Sequence, residues 1–138
     1  MKELNLNYLN IPQEHKIVEI LRNYGGQLST KTNGFISYLT TSGYSLENDF
    51  QSASLYIVAP EINRQHRLIS VDLENAQNLK IIIWGLSNQT DYHSAKIDIN
   101  YSDFDNKIWE LLSSPIAKSI IKLFVDQTIL KFELRKEK

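Results

Sequence analysis

Apolar residues recur along the chain with two periods, a helical one near both ends and a strict alternation through the middle. Near the N-terminus Ile17, Ile20, Leu21 and Tyr24 share one helical face, while Glu14, Lys16, Glu19 and Asn23 point away. Pro12 suits a first helical turn and Gly25-Gly26 a helix end, so the spacing predicts a helix from Pro12 to about Tyr24. Before it, Leu4, Leu6 and Tyr8 alternate loosely, as an arm or a short edge strand would.

The alternating region reads as a series of strands. Phe35–Thr40, between Asn33-Gly34 and Gly43, and Ser54–Ala59, stopped by Pro60, are the first two, with 41–53 as a polar loop. In Arg67–Glu74, Ile69, Val71 and Leu73 point one way and Ser70, Asp72 and Glu74 the other. Asn75–Asn78 is short enough for a hairpin connection into Leu79–Leu86. That segment has Leu79, Ile81 and Ile83 on one face and Ile82, Trp84 and Leu86 on the other, which predicts a central strand covered on both sides. Ala95–Tyr101 alternates again, with Lys96, Asp98 and Asn100 on a wet face.

Helical spacing then returns. Ser102 or Asp103 can cap a helix carrying Phe104, Ile108, Leu111 and Leu112, and Ser113-Ser114-Pro115 breaks it. Pro115 opens another helix with Ile116, Ile120, Ile121 and Phe124. Beyond Asp126 the pattern fits either period, and the absence of glycine and proline favours continued helix. The expected fold is α+β: a single domain over residues 1–138, an antiparallel meander of four to five strands, one N-terminal helix, and C-terminal helices packed against the sheet.

Composition narrows the function classes. The formal charge of −1 over 138 residues argues against a general nucleic-acid binder. Residues 111–138 carry six Lys/Arg against three Asp/Glu, and residues 51–110 five against eight, a polarity suited to internal pairing or to a partner. The absence of cysteine excludes disulfides, thiolate nucleophiles and cysteine-ligated zinc. The polar N-terminus and the lack of a long apolar run predict a soluble, cytoplasmic protein without a membrane partner.

No phosphate-binding loop, dinucleotide glycine fingerprint, His-Glu-x-x-His, nucleophile elbow or calcium-loop spacing is present. No catalytic residue, metal ligand or cofactor is therefore assigned. The meander does, however, bring connections 60–66 and 87–94 to one end of the sheet. That end gathers Glu61, Arg64, His66, Arg67, Asp91, Tyr92 and His93. Imidazole beside carboxylate can act as a general base, and arginine with tyrosine can make a binding surface, although hairpin ends are also polar simply because they are solvated. Trp84 and Trp109 are expected in the core, and His15 on the surface.

These features favour a non-catalytic module that binds another protein, of the accessory or neutralising kind. The alternative is a small-ligand-binding domain with an apolar pocket between sheet and helices, near Tyr101 and Phe104. A small hydrolase using His66 or His93 ranks third.

Overall fold

The structure, a computed structural model, describes residues 2–5, 15–47, 49–74, 78–86 and 97–136. Helix α1 spans Lys16–Lys31 and is followed by strands β1 (Ser37–Tyr44), β2 (Phe50–Ala59), β3 (Arg64–Leu73), β4 (Asn78–Ile83) and β5 (Ile97–Asn100). Helices α2 (Phe104–Leu112) and α3 (Pro115–Lys136) complete the order. The five strands form one antiparallel sheet in sequence order, the expected meander.

Helix α1 begins on a histidine. His15 has extended backbone, and its Nδ1 accepts the Ile17 N–H at 3.1 Å, supplying one of the acceptors that a first helical turn lacks. Its ring stacks on Phe50 at 4.3 Å, so it is a half-buried cap rather than a surface bystander. The expected start at Pro12 lies outside the described residues, as do the alternation at Leu6 and Tyr8 and residues 75–77 of the hairpin.

The expected end of α1 at Gly25-Gly26 is wrong, because the helix runs through both glycines to Lys31. Gly25 is there for packing. A Cβ at this position would lie 2.4 Å from Tyr38 Cγ and 2.8 Å from Tyr38 Cβ, so the glycine lets α1 sit directly on β1. The helix ends instead at Thr32, whose hydroxyl donates to Leu28 O at 2.7 Å and accepts the Ile36 N–H at 3.1 Å. Asn33 and Gly34, both at positive φ, then reverse the chain into β1.

One face of the sheet carries the core. Rows of paired residues cross it, Leu55–Ile69–Ile83 and Ala53–Val71–Ile81, all buried. Onto these rows pack Ile17, Val18 and Leu21 of α1, Phe104, Ile108 and Leu111 of α2, and Ala117, Ile120 and Phe124 of α3. Each of these side chains larger than alanine contributes roughly 1.5–3 kcal/mol on leaving water. Ser114 links the last two helices, its hydroxyl donating to Leu111 O at 2.5 Å.

Two strand expectations change. The predicted loop 41–53 is largely strand, since β1 continues to Tyr44 and β2 starts at Phe50. The middle strand of the five is β3 rather than the isoleucine run, and β4 is buried on one face only. Leu79, Ile81 and Ile83 are covered, while Lys80 and Ile82 are half-buried.

Candidate functional site

The predicted sheet-end cluster divides into two groups with different neighbours. Pro60–Ile62 forms a single 3-10 turn between β2 and β3, and α3 lies against it. Glu61 accepts from Lys131 Nζ through its backbone carbonyl, and its carboxylate meets Arg135 at 3.3 Å. Arg64 donates to Gln127 Oε1 at 2.7 Å, and its guanidinium lies 4.9 Å from the centre of the Phe124 ring. Glu61 and Arg64 thus fasten the β2–β3 turn to α3.

His66 and Arg67 turn instead toward Trp84, just beyond β4. The His66 Nε2–H donates to Trp84 O at 2.8 Å, which commits that nitrogen to the backbone. The Arg67 guanidinium stacks 4.5 Å from the Trp84 ring centre. Beneath the indole, Trp84 Nε1–H donates to Ser70 Oγ at 2.9 Å, and Ser70 is buried as a result. Asp91, Tyr92 and His93 lie outside the described residues. No group of three His, Asp or Glu side chains converges into a metal site among the described residues.

A β-bulge aims this assembly. Leu55 pairs with Ile69 but Tyr56 pairs with Arg67, so Leu68 is an extra residue in β3. Arg67 consequently stands opposite Tyr56, which in turn stands opposite Leu39 on β1. Leu39, Tyr56 and Arg67 form one row on the sheet face opposite the helices, and a second row, Ser54–Ser70–Ile82, runs beside it. Among the described residues, no helix covers this face. Leu39 is 46% exposed, and Tyr56, Val58, Ile82 and Trp84 are half-buried.

Trp84, Tyr56 and Leu39 are what sequence reasoning missed. Trp84 belongs to this helix-free face rather than to the core, and Trp109, on α2, is 58% exposed. The signal was present in β2, where Ser52, Ser54, Tyr56 and Val58 alternate with buried Ala53, Leu55, Ile57 and Ala59.

On the helical side an open hollow of about 560 Å³ lies between α1 and the start of α2, lined by Lys16, Glu19, Ile20, Asn23, Ser102 and Asp105 among others. At its margin the Tyr24 hydroxyl donates to an Asp105 carboxylate oxygen. Burial first, then the hydrogen bond and the negative charge of Asp105, push the Tyr24 phenol up to about 12. The hollow lies between two helices and has a mixed, charged rim. Compared with family models, curated proteins and solved structures, the chain matches none.

Proposed function

We propose that the protein is a non-catalytic binding module that engages another protein through the helix-free face of its sheet. The observation carrying this reading is the Leu39–Tyr56–Arg67 row with Trp84 stacked on its end. Aromatic and arginine side chains already held in one geometry are what protein interfaces use as anchors, because little rotamer entropy remains to be lost on binding. The Ser70 hydrogen bond and the bulge at Leu68 hold Trp84 and Arg67 in place before any partner arrives.

The test is affinity capture from native cells with tagged wild-type protein, a Tyr56→Asp/Leu39→Asp double variant, and a Trp109→Ala control. Wild type and control should recover the same stoichiometric partner, and the double variant should lose it while keeping a native circular dichroism spectrum. Equal recovery by all three would reject the face as the binding surface.

A further inference from the structure

A helix on the surface of a globular domain needs one apolar stripe, and α3 has two. The first, centred on Ala117, Phe124 and Thr128, is buried. The second lies about a quarter-turn round the helix and has heptad spacing. Ile120, Gln127 and Leu134 stand seven residues apart, as do Ile116, Leu123 and Leu130, so steps of four and three alternate along the line. Exposure rises toward its end. Ile120 is 3% exposed, Leu123 38%, Leu130 56% and Leu134 54%. A heptad line drifts about 20° per repeat round a straight helix, and here the drift carries the seam out of the core and into solvent.

Charge identifies the occupant. Beside the seam stand Asp126 and Glu133 on one flank and Lys131 on the other, all exposed. In a parallel pair of identical helices, a residue on the first flank meets the one five places on in the other copy. Asp126 then faces Lys131 of a second copy, and the two-fold axis makes that contact twice. An antiparallel pair would instead bring each flank against its own kind, acid on acid. The Lys131 ammonium has three donors and gives one to the Glu61 carbonyl, which leaves donors for a carboxylate. Inside the seam, the one polar residue is satisfied, since Gln127 Oε1 accepts from Arg64 at 2.7 Å. A polar residue at such a position favours the register in which the two copies of it meet.

We infer that α3 is the dimerisation element of this chain, two copies packing in parallel along Leu123, Gln127, Leu130 and Leu134 with Asp126 of each opposite Lys131 of the other. Because the seam lies a quarter-turn from the buried stripe, the two bodies fall on opposite sides of the helix pair. Each helix is already folded against its own sheet, so association carries no cost of helix nucleation. The exposed part of the seam is short, which places the affinity in the micromolar range.

The helix-free face takes no part in this contact, so the test is independent of partner capture. Sedimentation equilibrium from a few to several hundred micromolar should show the wild type passing from the mass of one chain to that of two. Leu130→Asp should weaken association at least about tenfold while the dilute protein keeps its melting temperature, as Leu130 lies outside the core. Asp126→Lys and Lys131→Glu each set like charges across both contacts and should each weaken it as well. An equimolar mixture of those two variants should recover the wild-type affinity, because every contact between unlike chains is then of opposite charge. Mixing does not rescue a folding defect, so this experiment decides if Leu130→Asp fails to fold. Leu134→Cys introduces the only cysteine, and mild oxidation should link two chains through it, whereas Lys122→Cys on the outer side of α3 should not link. An antiparallel pair would hold the two Leu134 positions at opposite ends. A wild type that stays monomeric throughout gives the seam to a partner of another sequence and overturns the proposal. So does undiminished dimerisation of a folded Leu130→Asp variant, a mixture that recovers nothing, or a dimer that Leu134→Cys does not cross-link.

Discussion

Gly25 and Gly26 are chemically identical neighbours in one helix, and their surroundings predict substitutions of opposite sign. Gly25→Ala drives a methyl group into the ring root of Tyr38, and should cost about 1–3 kcal/mol in urea denaturation despite better helix propensity. Gly26→Ala meets open space and should gain about 0.5–1 kcal/mol in dilute protein. His15 gives a pH dependence. Burial lowers its pKa below 6.5, and its Nδ1 must stay unprotonated to accept from Ile17. The unfolded chain therefore binds the proton more readily, so this contribution is complete above pH 6.5 and is lost as pH falls through the lowered value. His15→Gln should flatten that acid limb in thermal melts recorded across the range. Tyr24 works from the other side: its neutral form is favoured up to about 12, so its contribution fades as pH rises from 10 through that value. Ultraviolet titration of Asp105→Asn should show the phenol ionising earlier.

Among the elements, α3 has the clearest duty, holding the β2–β3 turn through Glu61 and Arg64. A double-mutant cycle of Arg64→Ala and Gln127→Ala should return a coupling of about 0.5–1.5 kcal/mol, and additivity would mean that the contact carries nothing. The helical continuation beyond Asp126 was legible because no glycine or proline interrupts it. Where the sequence misled, the cause was a neighbour distant in the chain. Gly25-Gly26 resembled a terminator because Tyr38 could not be placed above it. β1 and β2 were cut short because Thr41, Ser42, Gln51 and Ser52 are polar, and polar residues are admissible on an edge or an uncovered face. The isoleucine run in β4 was taken for a central strand because Ile82 and Trp84 are apolar. Among the described residues their face instead lacks a helix, and that is what makes it a candidate surface. Ile81→Ala should still cost about 2–5 kcal/mol by denaturation, since Ile81 is buried against Val71.

At the scale of the molecule, the described residues place three helices on one side of the sheet and none on the other, a two-layer arrangement with unequal faces. Periodicity and chain order sufficed for that architecture, because each strand announces its inner face and each short connection forces an antiparallel neighbour. The candidate surface was less accessible. Arg67 was singled out, but its partners Tyr56 and Trp84 come from two other parts of the chain, joined only by register. That register has a consequence for chain length. Leu68 is the extra residue against β2, so removing it would let Arg67 follow Ile69 in regular alternation, but it would also take away a fully buried side chain and the carbonyl that accepts the Trp84 N–H at 2.9 Å. Removing a residue from Ile69–Leu73, which pairs without irregularity with β4, would turn part of the strand over and send polar groups toward the helices. The middle strand thus has one point where a deletion keeps the register and costs a buried leucine, whereas a deletion a few residues on loses the register as well.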